Sequence, residues 1–278
     1  MFEVENLTVY RGNKAVVEGL SFTVGEGAIV GLLGPNGAGK TTAICGLLGL
    51  LASSSDTLSL NHVDLRDHPQ ERRARLGYVP QAVAMYPELS VTENLNIWGG
   101  LYGIQRGRIR NRVEFALDLA GLKERREDRV HALSGGMKRR LNLAIGLLHD
   151  PDVLICDEPT TGVDAESRRA IYRALQEMKD AGKHVLYTTH YFKEVEDLCD
   201  RVVILQEGKM VLQDSLSALL SRQGPGENNS IAVQTSLSPQ ALEEAMTQAG
   251  IPFTQTTLPK PSLEDVFLKV TQGEGVKP

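Results

Sequence analysis

Gly34-Pro35-Asn36-Gly37-Ala38-Gly39-Lys40-Thr41 places glycines, a lysine and a hydroxyl at the spacing G-x-x-x-x-G-K-T. Each residue type has a physical task. Glycines let the backbone curl so that successive N–H groups point at an anion. A helix starting at Lys40 would add the positive end of its dipole. Lys40 brings a mobile charge to the outer phosphates of a nucleotide. The Thr41 hydroxyl fits one place on a magnesium ion that keeps most of its waters. Asn36-Gly37 alone also fits a hairpin turn. The apolar run before it and the helical pattern after it weigh against that option. The loop predicts nucleoside triphosphate binding and leaves the reaction open.

Two further clusters bear on that reaction. Val153-Leu154-Ile155-Cys156-Asp157-Glu158 sets two carboxylates at the end of an apolar strand. In open α/β sheets ligands sit beyond the carboxyl ends of strands. Asp157 would reach the magnesium shell, and Glu158 could orient and deprotonate a water attacking the terminal phosphate. A plain solvated turn is the alternative for Asp-Glu taken alone. Leu133-Ser134-Gly135-Gly136-Met137 opens a helical stretch, with Ser134 as N-cap and two glycines exposing backbone amides. That is a second anion cradle, or an ordinary capped helix. Cys156 reads as a small buried apolar residue.

The elements that must hold these residues follow from hydrophobic periodicity. Phe2, Val4, Leu7 and Val9 predict a strand, followed by a turn at Arg11-Gly12-Asn13 and a half-exposed strand through Leu20, Phe22 and Val24. Ala28–Leu33 reads as a buried parallel strand, Val153–Cys156 as a further buried strand, and Leu76–Val79 and Val185–Tyr187 as short strands. Val202–Leu205 and Met210–Leu212 form a hairpin across Glu207-Gly208. From residue 82 to about 149 the pattern is mostly helical, and Ser90 with Glu93 makes a capping box. The arginines between Arg106 and Arg129 read as a solvated helical face. Ile171, Ala174, Leu175 and Met178 share one helical face. A break at 222–230 reads as a linker. Beyond it, Ile231–Thr235 predicts a strand, Ser238-Pro239 opens a helix, and Ser262 and Asp265 cap a last one. This small appendage covers 231–278.

Composition excludes several classes. The 278 residues carry 30 Lys+Arg against 35 Asp+Glu, which argues against a nucleic-acid binder held by overall basic charge. Apolar runs are too short to cross a bilayer. Cys45, Cys156 and Cys199 are odd in number and lack metal spacing, which fits a reduced cytosolic setting.

Read together, these motifs resemble the nucleotide-binding subunit of ATP-binding cassette (ABC) transporters over about residues 1–220. Leu133–Met137 is similar to the family's signature, Gly34–Thr41 to its Walker A loop and Val153–Asp157 to its Walker B strand. Tyr10, Gln81, Thr161-Gly162-Val163-Asp164 and His190 follow at the positions of the family's adenine-stacking aromatic, Q-loop, D-loop and switch histidine. Pro261–Leu268 and Met137-Lys138-Arg139-Arg140 are similar to drug-resistance-type exporters. Two departures are Ala52-Ser53-Ser54-Ser55-Asp56, where relatives carry Pro and Gly in a turn, and Val163 in place of Leu.

The resemblance implies a P-loop NTPase core of α/β class in residues 1–221. It adds an N-terminal antiparallel β subdomain, an α-helical subdomain and the small C-terminal α/β appendage. It implies ATP and Mg2+ as cofactors, with Tyr10, Gly34, Pro35, Asn36, Gly37, Ala38, Gly39, Lys40, Thr41 and Thr42 on the nucleotide. Ser134, Gly135, Gly136 and Asp164 would complete the site of a second copy. Thr41, Gln81 and Asp157 would hold the metal. Glu158, His190, Lys40 and Gln81 would be catalytic. The implied partners are an integral membrane permease and a second ATPase subunit, without nucleic acid, at the cytoplasmic face of the membrane as a peripheral subunit. Around Met85, Tyr86 and Pro87 the family docks a permease helix, and core packing is the competing use of those side chains. Three rivals stand beside this reading. A soluble ABC ATPase acting on nucleic acid or ribosomes would carry two cassettes or a coiled coil. A non-catalytic regulator would not need Glu158 and His190. A small-molecule kinase would have no use for Ser134.

Overall fold

Alternating apolar and polar residues fold Phe2–Arg11 (β1) and Lys14–Val24 (β2) into an antiparallel hairpin, turned at Gly12 with φ +60°. The wholly buried run Ile29–Leu33 (β3) leads through the glycine loop into Lys40–Leu47 (α1). Then come Ser53–Ser54 (β4), Thr57–Leu60 (β5), Val63–Asp64 (β6), Pro69–Arg75 (α2) and Leu76–Val79 (β7). Val91–Leu101 (α3), Arg106–Ala120 (α4) and Gly135–Gly146 (α5) form the helical part. The chain continues as Val153–Asp157 (β8), Ala165–Asp180 (α6), His184–Thr189 (β9), Phe192–Leu198 (α7), Arg201–Gln206 (β10), Lys209–Ser215 (β11) and Leu216–Arg222 (α8). The structure, a computed structural model, describes residues 1–222, 239–249, 263–264 and 267. It divides into one unit, Met1–Leu216, and a second, Ser217–Pro278.

Two sheets share the first unit. One is antiparallel, in the order β2-β1-β5-β6, with β4 also paired to β1. The other runs β11-β10-β3-β9-β8-β7, parallel except for β11. Every residue of β3, β8 and β9 is buried, as expected for strands covered on both faces. Leu33 lies opposite Thr189, and Asp157 opposite Thr188. The carboxyl ends of these strands therefore come level, and the segments that follow them share one edge. A core of β1, β2, β3 and α1 side chains, including Phe2, Leu20, Leu32, Ile44 and Leu47, fills the space between the sheets. A separate core in the helical part gathers Leu95, Leu117, Leu141 and Leu148.

Local chemistry explains the element boundaries. Ser90 accepts from the Glu93 amide while the Glu93 carboxylate accepts from the Ser90 amide, so the expected capping box is present. The face Ile171, Ala174, Leu175 and Met178 is buried, as its spacing predicts. Ser53 and Ser54 depart from the turn expected there. They pair with Val9 and Thr8 as β4, because the edge of β1 offers them ladder partners. The arginine-rich segment is only partly a solvated face. Arg106, Arg108 and Arg110 are exposed, whereas Arg112 folds inward. It donates to the Leu147 and Leu148 carbonyls at 2.7 Å each and lies 4.5 Å over the Phe115 ring. Those carbonyls end α5, where a cation suits the helix dipole. Met85 packs on the helical core while Tyr86 is exposed. In the second unit, Pro239–Gln248 (α9) begins at the proline, as expected. The predicted strand Ile231–Thr235, the linker beyond residue 222 and the caps Ser262 and Asp265 lie outside the described residues.

His149 follows α5 and stacks on Tyr102, with ring centroids 4.1 Å apart. Burial pushes its pKa down to about 4. The Leu76 backbone pulls the other way without a well-aligned hydrogen bond to either ring nitrogen. The unfolded chain therefore binds a proton that the folded chain refuses between the ordinary value and about 4, and stability falls as pH drops through that window. Between pH 7 and pH 5 the wild type should lose about 2 kcal/mol more than His149→Gln, read as urea midpoints at both pH values. Equal losses in the two proteins would remove His149 from the acid response.

Candidate active site

The loop after β3 is built by two left-handed glycines, Gly37 at φ +85° and Gly39 at φ +104°, the latter preceding the first residue of α1. Gly34 has no room for a side chain, because a Cβ there would stand 2.3 Å from the Leu205 carbonyl oxygen. Lys40 is buried, and its Nζ donates to the Gly34 carbonyl at 2.7 Å and the Pro35 carbonyl at 3.2 Å. Its ammonium thus sits within the curl of the loop.

Thr41 begins the interior of α1 and meets the end of β8. Its Oγ1 donates to Asp157 Oδ2 at 2.8 Å, and Thr188 Oγ1 donates to Asp157 Oδ1 at 2.7 Å. A hydroxyl and a carboxylate side by side form the hard-oxygen donor pair that suits Mg2+. Two protein ligands leave places for phosphate oxygens and water, so these residues fit the ion that a nucleotide brings.

One residue on, the backbone reverses hand. Glu158 takes φ +46°, a left-handed conformation that costs a non-glycine residue roughly 1–3 kcal/mol. Its amide donates to both the carbonyl and the hydroxyl of Thr188, each at 3.1 Å, which holds the turn. Its carboxylate is then aimed away from Asp157. Glu158 Oε1 lies 3.5 Å from Lys40 Nζ and 3.1 Å from His190 Nδ1. The histidine contact is one of proximity, since Nδ1 is not aligned as a hydrogen bond. Glu158 Oε2 accepts from Gln81 Nε2 at 3.2 Å and from Thr161 Oγ1 at 3.3 Å.

Lys40, Thr41, Gln81, Asp157, Glu158 and His190 thus converge at the carboxyl edge of the parallel sheet, as their positions in the chain predict. The loop Gly34–Gly39 surrounds the Lys40 end of this cluster, whereas Tyr10, Ser134, Gly135, Gly136 and Asp164 do not join it. Tyr10 is half-buried near the end of β1, paired with Ala15. Ser134 accepts from the Met137 amide at 3.2 Å as the N-cap of α5, with Gly135 exposed beside it. Gly136 is pressed against α6: a Cβ there would stand 2.2 Å from Ser167 Oγ and 2.4 Å from Asp164 Oδ2. Asp164 caps α6 by accepting from the Ser167 amide at 2.8 Å, and those Ser167 hydrogen bonds lower its pKa. Among the described residues, the α5 cradle shares no hydrogen bond or ion pair with the Lys40–Glu158 cluster.

A buried network behind the site was not read from the sequence. Glu194 of α7 accepts from Thr160 Oγ1 at 2.7 Å, Thr189 Oγ1 at 2.8 Å and the Tyr187 hydroxyl at 2.9 Å. Burial, reinforced by the Glu194 charge, drives the Tyr187 pKa far above its ordinary value and keeps that proton on the donor. Thr160 follows Glu158 by two residues and Thr189 precedes His190, so one carboxylate ties together both flanks of the site. The available signal was the run of hydroxyls, Thr188-Thr189, inside an otherwise apolar strand, with a carboxylate one helical turn beyond.

Known proteins resemble this chain over most of its length. Residues 17–161 match the family model described as ABC transporter. The chain is 40% identical over 224 residues to the linearmycin resistance ATP-binding protein LnrL of Bacillus subtilis (strain 168), covering 81% of this chain and 72% of that relative. It is 37% identical over 295 residues to the Nod factor export ATP-binding protein I of Burkholderia orbicola (strain AU 1054), covering 98% and 97% of the two chains. A solved structure titled as the ATP binding subunit of an ABC transporter superposes with a TM-score of 0.75 at 26% identity, covering 98% of this chain and 99% of that one.

The contact at Gly34 yields a direct test. Gly34→Ala must displace the Leu205 carbonyl, so unfolding in urea should show a loss of about 1–3 kcal/mol, with nucleotide affinity reduced as the loop shifts. A variant as stable as wild type would show that the loop tolerates a side chain.

Proposed function

We propose, from the premise that this chain belongs to the ABC transporter family as an ATP-hydrolysing subunit, that it powers export of a substrate through a separate membrane permease. The observation that carries the chemistry is the left-handed turn at Glu158. It brings one carboxylate against Lys40, His190 and Gln81 while its neighbour Asp157 faces Thr41.

In this reading ATP lies along the loop, with its phosphates on the amides of Gly34, Asn36, Gly37, Ala38, Gly39, Lys40, Thr41 and Thr42, with Pro35 shaping the loop without an N–H to donate, and its adenine on Tyr10. Lys40 leaves the loop carbonyls for the outer phosphates. Thr41, Asp157 and Gln81 would hold the magnesium, and Gln81 would also contact the attacking water. When bound, Mg2+ neutralises charge developing on the phosphate oxygens. Glu158 accepts a proton from a water whose oxygen bonds to the γ-phosphorus, and the bond to the ADP oxygen breaks. Lys40 and His190 stabilise the charge on the transferring group. Such a positioned base contributes about 10²–10⁴ in rate.

The α5 cradle is an anion site with no phosphate of its own within the subunit. A second copy, arranged head to tail, would present Ser134, Gly135, Gly136 and Asp164 to the nucleotide of the first. Two-fold symmetry then gives two composite sites. ATP favours the closed pair because both helix N-termini bind the γ-phosphate, and its loss loosens them. No helix of the described residues is long and apolar enough to cross a membrane. The permease supplies that element, and the subunit works as a peripheral protein at its cytoplasmic face. Exposed Tyr86, beside the Q-loop, suits docking of a permease helix. The role of the Nod factor export relative supports export as the direction, and the resistance role of LnrL is compatible with it.

Two variants test this. Glu158→Gln should bind ATP normally, slow turnover by about 10²-fold or more and accumulate as an ATP-bound dimer in light scattering. Normal phosphate release from it would refute the base assignment. Lys40→Ala should weaken both ATP binding and turnover in a phosphate-release assay; unchanged turnover would count against the site as a whole.

A further inference from the structure

The signature helix α5 grips the backbone on either side of Gln81 through two buried polar side chains. Arg139 Nη1 donates to the Pro80 carbonyl at 3.3 Å and also to the Gln81 carbonyl. Asn142 Nδ2 donates to the Pro80 carbonyl at 3.0 Å, and its Oδ1 accepts from the Ala84 amide at 3.4 Å. Arg139 is 8% exposed and Asn142 2% exposed. A guanidinium and an amide are costly to bury, so their placement against one short loop calls for a reason beyond packing. Burial lowers the Arg139 pKa while the Glu158 and Asp157 charges pull it back up, and the guanidinium remains charged.

The same face of α5 continues to Gly146. There the helix meets β7 backbone on backbone: a Cβ at Gly77 would stand 2.4 Å from the Gly146 carbonyl oxygen. One end of α5 is thereby fixed against the sheet. Its other end is the Ser134 cradle, and Arg139 and Asn142 lie between. Gln81, whose backbone they hold, is itself hydrogen-bonded to Glu158.

We propose that Arg139 and Asn142 are positioning residues that couple the cradle to the catalytic base of the same subunit. The inference rests on the composite-site reading above. The cradle serves the partner's nucleotide, and Glu158 serves the subunit's own. Movement of α5 as the cradle engages one nucleotide is carried by these hydrogen bonds to Gln81, and through Gln81 to Glu158. Hydrolysis at each site then depends on engagement at the other.

The test uses the full chain. Arg139→Gln and Asn142→Ala should each lower kcat about tenfold, the scale of a small misplacement at a reacting centre. KM for ATP should stay within about twofold, because the loop that binds the phosphates is untouched. Arg139→Lys, which keeps a charged donor, should recover most of the lost rate. The double variant Arg139→Gln, Glu158→Gln should still dimerise with ATP as Glu158→Gln alone does. Wild-type kcat in both Arg139→Gln and Asn142→Ala would overturn the coupling. So would a rise in KM for ATP together with a loss of dimerisation, which would mark the pair as mere scaffolding. Failure of Glu158→Gln alone to dimerise would instead sink the composite-site reading, so the two failures are separable.

Discussion

The structure depends on a reversal of backbone hand at the end of β8. A strand alternates its side chains, so consecutive carboxylates on a continuing strand would point to opposite faces. The left-handed turn at Glu158 gives a different separation. Asp157 stays within the sheet edge, hydrogen-bonded to Thr41 and Thr188, and Glu158 swings toward Lys40, Gln81 and His190. Two adjacent carboxylates are thus given two different environments. The strain is tolerated because the Glu158 amide has two acceptors on Thr188.

Two helices of this chain begin at glycines, and the glycines differ in use. At α1 the glycines are left-handed, and the loop wraps the ammonium of its own lysine. At α5 the N-cap is a serine, Gly135 has open space around it, and Gly136 is the point where α6 comes closest. The first arrangement builds a pocket within the subunit. The second presents a helix N-terminus outward, which suits a ligand held by another molecule.

Legibility in the sequence followed the strength of local signals. Apolar runs marked β3, β7, β8 and the Val185–Tyr187 part of β9, whereas the buried His184, Thr188 and Thr189 of β9 carried no apolar signal. The capping box at Ser90 and the hairpin at Glu207-Gly208 were equally plain. The residues that meet at the site were identified by motif. Their convergence follows from strand register, which is a property of pairing between distant segments. What escaped notice was tertiary. Ser53 and Ser54 became a strand only because β1 had a free edge. Arg112 looked like its solvated neighbours until the end of α5 was set beside it. Glu194 has a local cue in the hydroxyls of Tyr187 and Thr189 just before it, but its tie to Thr160 comes from a distant segment.

The dependence of Asp157 and Glu158 on Thr188 also constrains when during synthesis the chain becomes an engine. Both acidic residues emerge before the strand that fastens them. A growing polypeptide that has not yet released β9 from the ribosome lacks the anchor for the reversed turn. It can hold a glycine curl but has no aimed carboxylate. The aimed carboxylate thus exists only once β9 has paired with β8.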